Sequence, residues 1–382
     1  MRHKPHQIRN RTLFSLKACD GRARTGVLVL PHGQVETPAF MPVGTQATVK
    51  TARNSDLTGM GYGMILCNTY HLYLRPGREV IERAGGLHGF MNWDRCILTD
   101  SGGFQLFSLS SLRRVTEAGY SFQSHIDGSS HTLTPEGVLD LQKVFGSDIM
   151  MVLDECLEQP SGRERTEESM RLTLRWAERA IRLHTPGGGS LFGIVQGGAF
   201  RDLREECARE LVEMGFDGYA IGGVAVGEDR ERMELAVNGC VDVLPVHKPR
   251  YLMGVGKPED LVDFTAMGVD MFDCVVPTRN ARGACFFVPG GRLNLRNTRF
   301  RNDLGPVQPG CGCYVCANHS RAYIRHLFAA KEWLAPILAT IHNLHYFAGL
   351  MAEMREQINR GSFQQWRTGW HLNRMSFSSD GY

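Results

Sequence analysis

The strongest constraint on this chain is a rhythm of short apolar runs. Each ends in small or polar residues and is often followed by an amphipathic segment. The runs are Ala39–Val43, Met64–Cys67, Cys96–Thr99, Ile149–Leu153, Leu191–Val195, Tyr219–Ile221, Tyr251–Met253 and Met271–Val276. Helices are predicted over 163–183, 201–214, 230–241 and 258–267. In the first, Met170, Leu174, Ala177 and Ile181 share one face, with Glu and Arg opposite. The second stops at Gly215. Strands alternating with helices build parallel βαβ units. Eight such strands predict an α/β chain closed into a (β/α)8 TIM barrel, with a doubly wound open sheet as the alternative. The 382 residues leave room for one large barrel and an appendage.

The layout read from the sequence has four parts. Residues 1–12 are a flexible basic leader. Residues 13–276 are the barrel, capped by a hairpin of Val27–Leu30 and Val35–Phe40 around Pro31–Gly33. Residues 277–360 form a nucleic-acid- and metal-binding subdomain with a closing helix. Residues 361–382 are a tail whose last dozen residues look frayed. A net charge of +3 excludes a uniformly basic chromatin-type protein but permits a local basic patch. No run of 18 apolar residues occurs, so no membrane span is expected. The leader lacks an apolar core, and the 11 cysteines are odd in number. Both point away from a secreted disulfide framework and toward the reducing cytoplasm.

Cys311-x-Cys313-x2-Cys316 is the sharpest local motif. A turn can converge three thiols on one ion, and Zn²⁺ then needs a fourth ligand. His319, His326, His342 and His345 are candidates, and spacing leaves all four open. Three thiolates and an imidazole leave no open coordination position, so such a zinc is structural.

Acidic residues close several of the apolar runs. Asp100 follows Ile97–Thr99, Asp154 and Glu155 follow Met150–Leu153, and Asp273 lies in Met271–Val275. On a parallel barrel the C-terminal strand ends face one cavity, so carboxylates distant in sequence can meet. Two carboxylates around an anomeric carbon can run a double displacement. Any one of them alone reads as a helix cap or a turn. Gln196–Gly198, Gly222–Gly223 and Gly254–Lys257 are polar, glycine-rich exits where a flat ligand can approach backbone. A Gln beside an Asp suits a purine edge. Gly254-x-Gly256-x-x-Glu259 lacks the third glycine of a dinucleotide loop, and Tyr251 stands where a P-loop before Lys257 needs glycine. Neither NAD nor ATP is expected. From residue 279 to 301 there are six arginines (279, 282, 292, 296, 299, 301) and no acid, with Phe286, Phe287 and Phe300 among them. Such a strip favours a nucleic-acid groove over a solvated face with core phenylalanines. Taken together, these features suggest glycosyl-bond breakage on a nucleic acid.

At this point the chain resembles the tRNA-guanine transglycosylases, in particular their bacterial branch. The resemblance lies in Asp20–Arg24, Thr37–Thr45, Asn68–His71, Leu98–Gln105, Phe192–Gly197, Gly215–Ala220, Tyr251–Asp260, Met271–Cys274, Pro277–Arg282 and the cysteine cluster with Ile341–Asn343. It implies a barrel with an inserted zinc subdomain and a cytoplasmic homodimer. The implied reaction exchanges guanine at the anticodon wobble position of tRNA for preQ1 (7-aminomethyl-7-deazaguanine) in queuosine biosynthesis, without ATP or redox chemistry. Asp273 would attack ribose C1′ and hold the tRNA covalently, and Asp100 would be the general acid/base. Asp154, Gln196 and the Gly223 backbone would read the purine between Phe104 and Met253, with Ser101, Cys156 and Val224 completing the pocket. Gly254, Val255, Gly256, Lys257, Pro258, Glu259 and Asp260 would contact tRNA, as would Thr278, Arg279, Asn280, Ala281 and Arg282. The zinc histidine would be His342.

The resemblance also places Cys156 and Val226 where users of the bulkier base queuine tend to have Val and Gly, so preQ1 is expected and queuine is not. Gly283–Ala284 stands where many relatives have Asn-Gly, Val224 where Leu is commoner, and His345 replaces a frequent Arg. A non-catalytic subunit of the same family would lack the carboxylates. An archaeal-type exchanger would need a further C-terminal RNA-binding domain, for which the stretch after His342 is short.

Overall fold

The computed structural model describes residues 13–109, 113–158, 160–185, 187–224 and 229–379. The expected leader lies outside these residues, as does Val226. Eight strands close a barrel: β1 (Ala39–Gly44), β2 (Met64–Asn68), β3 (Cys96–Asp100), β4 (Ile149–Met151), β5 (Ser190–Val195), β6 (Gly218–Ile221), β7 (Arg250–Leu252) and β8 (Met271–Cys274). Every neighbouring pair is parallel, and β8 pairs with β1 to close the ring. These are the eight predicted runs, and closure rules out the open sheet. β2, β3, β4 and β6 are buried along their whole length, as strands covered by helices outside and side chains inside must be. The helices Arg163–Leu183, Arg201–Met214 and Arg230–Val241 have the predicted bounds, and the fourth spans Pro258–Ala266. Gly215 ends its helix at φ +84, a left-handed conformation free of steric cost only for glycine. Among the described residues no helix is long and apolar enough to cross a membrane.

Three parts differ from expectation. The expected capping hairpin forms, Ala23–Leu30 against Gly33–Thr37, but a further strand, Phe14–Asp20, extends it to a three-stranded antiparallel sheet. The run read as Val35–Phe40 divides, since Ala39 already belongs to β1. Between β3 and β4 the chain inserts a helix, Gly103–Leu109, and a sheet of Arg113–Thr116, Gly119–Gln123 and Ser130–Leu133. The helix Pro135–Phe145 follows; Thr134 caps it by accepting the Gly137 N–H at 3.1 Å. Finally, the tail carries a helix, Phe363–Ser379, and residues 380–382 of the expected frayed end lie outside the described residues. Phe363 is buried and its N–H donates to Asp20, while Arg367 and His371 both reach Asp263 at 2.8 Å.

Residues beyond β8 build a second apolar core around Phe286, Val288, Leu293, Phe300, Val315 and Leu327. Phe286, Phe287 and Phe300 are all buried, so they pack cores and offer no ring to a nucleic acid. The 27-residue helix Leu334–Arg360 serves both cores. Leu338, Ala339 and Ile341 lie in the second core, whereas Phe347, Leu350, Met354 and Ile358 lie in the barrel's own. Ala284 sits at φ +64, in the left-handed region that costs a side chain about 1 kcal/mol.

Candidate active site and metal centre

The C-terminal ends of the barrel strands surround a cavity of about 450 Å³. Asp100 and Asp154 are buried in its wall, and Asp273 is half-buried beside them. Asp100 ends β3, in register with Asn68 at the end of β2. Asn68 Nδ2 donates to its Oδ2 at 2.5 Å, and the Thr69 N–H donates to Oδ1 at 2.9 Å. Burial nevertheless pushes the Asp100 carboxyl up to about 6, and the nearby Asp273 charge adds to the rise. Asp273 Oδ1 accepts two bonds, from the Tyr251 hydroxyl at 2.6 Å and the Gly254 N–H at 2.7 Å. Its Oδ2 has no partner among the described residues. Burial raises the Asp273 carboxyl as well.

Asp154 is held from three sides. Gln196 Nε2 donates to Oδ2 at 2.7 Å, the Cys156 thiol approaches Oδ2 at 3.5 Å, and Ser101 Oγ donates to Oδ1 at 3.3 Å. Burial raises this carboxyl too. Its neighbour Glu155 turns away from the cavity to pair with Arg165. Two glycines are required by this packing. A Cβ on Gly103 would stand 2.7 Å from Asp154, and one on Gly223 would stand 2.7 Å from Gln196 Oε1. Phe104 is exposed at the rim, with Met253, Val224 and Cys156 also on the wall.

The segments expected to meet a polymer divide by exposure. Gly254, Thr278, Arg279 and Arg282 line the cavity, and Lys257 is exposed nearby in sequence. Val255, Gly256, Pro258, Asp260 and Ala281 are buried rather than facing solvent. Asp260 pairs with Arg230 at 2.7 Å, and Glu259 pairs with Arg374 at 3.1 Å. Asn280 is half-buried. Of the arginine strip, residues 292, 296, 299 and 301 are exposed on the second lobe. The sequence pattern marks neither Tyr251 nor Tyr120 as a site residue. Tyr251 reads as the start of an apolar strand, yet its hydroxyl reaches β8. Tyr120, from the unforeseen insert, donates to the Asp154 carbonyl at 3.1 Å.

Cys311, Cys313, Cys316 and His342 bring four ligand atoms within 4.8 Å of one another. His342 Nε2 donates to the Phe287 carbonyl at 2.8 Å, which leaves the Nδ1 lone pair facing the Cys316 and Cys313 sulfurs at 3.4 and 3.6 Å. His319 instead stacks on Tyr323, and His345 lines a separate groove beside Met60. These four residues could hold a metal ion. A second group, His32, His88 and Asp148, lies away from the cavity. There His88 Nε2 contacts the Arg95 carbonyl at 3.0 Å and so carries its proton, which blocks that nitrogen as a ligand.

Comparison with known proteins agrees along nearly the whole chain. A family profile described as Queuine tRNA-ribosyltransferase matches residues 19–376. A protein of that name from Caldanaerobacter subterraneus subsp. tengcongensis is 56% identical over 340 residues, covering 89% of this chain and 91% of its own. One from Thermoanaerobacter pseudethanolicus is 56% identical over 339 residues, covering 88% and 90%. One from Ruegeria sp. is 52% identical over 362 residues, covering 94% and 96%.

Proposed function

Because the chain belongs to the queuine tRNA-ribosyltransferase family of pentosyl-transferring enzymes, we propose that it exchanges guanine at the tRNA wobble position for preQ1 through a covalent Asp273–tRNA intermediate. The observation that carries this reading is the convergence of Asp100, Asp154 and Asp273 on one cavity with Arg279 and Arg282 on its wall. Asp273 Oδ2 attacks C1′; the C1′–N9 bond breaks and Asp100 delivers a proton to the departing guanine. The incoming base then loses its N9 proton to Asp100, attacks C1′ and displaces the aspartyl ester. A carboxyl near 6 suits both directions of that transfer. Asp154 and Gln196 meet the purine edge, and Arg279 and Arg282 meet the phosphates. Incubation with tRNA and labelled guanine tests the reading: label should enter the anticodon loop, and its exclusion would overturn base exchange.

The names of the relatives carry queuine, so the identity of the inserted base needs its own measurement. Cys156 lies against Asp154 on the cavity wall, and its position supports preQ1. Competition against labelled guanine should show preQ1 displacing it and queuine displacing little. Comparable use of the two modified bases would reject the preQ1 assignment.

We take the metal to be structural zinc, since three thiolates and one imidazole match its preferences. Purified protein should carry one zinc per chain. His342→Ala should weaken retention and His345→Ala should keep it; the reverse pattern in metal analysis would exclude His342. The eleven free cysteines support a cytoplasmic setting. Exposed Tyr314, Tyr323 and Trp333 on the metal-bearing lobe support a homodimer.

A further inference from the structure

Arg204, in the helix Arg201–Met214, is fully buried and has no carboxylate within 4 Å among the described residues. A buried cation without a counter-ion is costly unless its donors are satisfied. Here main-chain carbonyls satisfy them. Nε donates to the Gly198 carbonyl at 2.8 Å, and Nη1 donates to Val195 at 3.0 Å and to Gly222 at 2.7 Å. Nη2 reaches the Gly223 carbonyl at 3.3 Å. One planar fork therefore ties the exit of β5, which carries Gln196, to the exit of β6, which carries Gly222–Val224. Helix Arg230–Val241 leaves room for it at Gly239, where a Cβ would stand 3.1 Å from the Arg204 Cβ.

The consequence follows from peptide geometry. In a trans peptide the C=O and the next N–H point in opposite directions. Turning the Gly222 and Gly223 carbonyls toward Arg204 turns the N–H groups of Gly223 and Val224 the other way. Both residues line the cavity, which Arg204 itself does not. Neither N–H has a backbone partner among the described residues. Such orphan donors in a cavity wall are aimed at a ligand acceptor.

We infer that Arg204 is the positioning residue of the base-reading edge: by holding four carbonyls behind the wall, it presents the Gly223 and Val224 N–H groups to the carbonyl face of a bound purine. This rests on the base-exchange reading above. Arg204→Lys keeps the charge but replaces the fork with a point donor. It should raise KM for guanine by about tenfold or more, with kcat within about twofold of the parent. tRNA affinity and zinc content should be unchanged. In the parent protein, guanine should slow hydrogen exchange at the Gly223 and Val224 amides, a readout that does not depend on any variant folding. An unchanged KM in a folded Arg204→Lys protein would overturn the inference. So would a loss of guanine and tRNA binding in equal proportion, or the absence of amide protection in a parent that exchanges guanine. A parent that exchanges no guanine would instead overturn the base-exchange reading, and this inference with it.

Discussion

Asp273→Asn protein is expected to form no covalent adduct with tRNA and to lose base exchange by on the order of 10⁴–10⁶-fold. The carboxylate presents one oxygen to the cavity while Tyr251 and Gly254 hold the other. An amide keeps an oxygen for those two donors, so the local fold survives. It puts a nitrogen without nucleophilic character where the attacking oxygen was. Because the ionised group is raised by burial, its neutral replacement should not lower the melting temperature. A denaturing gel of protein incubated with tRNA reads the adduct directly. Full adduct yield from a folded Asp273→Asn protein would show that another residue is the nucleophile.

The second large effect belongs to Asp100. Asp100→Asn should slow exchange by about 10²–10⁴-fold, the usual span for a lost general acid/base. It should also stabilise the fold at alkaline pH. The carboxyl titrates near 6 in the folded chain against 3.8 as its ordinary value, so the folded state binds this proton more tightly. That favours folding below pH 3.8 and is lost as pH rises through 6. At pH 8 the ionised group costs the folded state roughly 3 kcal/mol relative to low pH. The variant should therefore melt several degrees higher than the parent at pH 8, with the gain shrinking toward pH 5. An equal gain at both pH values would locate the stabilisation elsewhere than in this proton.

The barrel is legible in the sequence because its strands are covered on both faces, so each reads as a short unbroken apolar run. The carboxylates are legible for a related reason: they end those runs, and parallel closure carries every such end to one side. Their partners are not. Asn68 lies 32 residues from Asp100 and Tyr251 lies 22 from Asp273, and no local pattern links them before the strands are in register. The insert between β3 and β4 escapes notice because its first strand, Arg113–Thr116, has no buried residue and so no apolar alternation. The final helix contains Gly369, Asn373 and three Ser, weak helix formers. It is held by tertiary contacts of Phe363, Arg367 and His371 that composition does not announce. Cysteine spacing announces the metal cluster, but the choice among four histidines needs the fold.

The helix Leu334–Arg360 bears on how such a chain can be inherited. Its first half supplies His342 and apolar side chains to the metal-bearing lobe, and its second half fills the barrel core with Phe347, Leu350 and Met354. Phe347 packs on Phe40 of β1 with ring centres 4.9 Å apart, and the Leu344 carbonyl accepts the Tyr62 hydroxyl at 2.7 Å. Recombination that removed the lobe with its helix would strip the barrel of part of its own interior. A crossover that kept the barrel and exchanged the lobe would have to cut a continuous helix between two occupied cores. The lobe is thus not a cassette that shuffling can move: residues before His342 are fitted to the lobe's core and residues after it to the barrel's, on one unbroken helix.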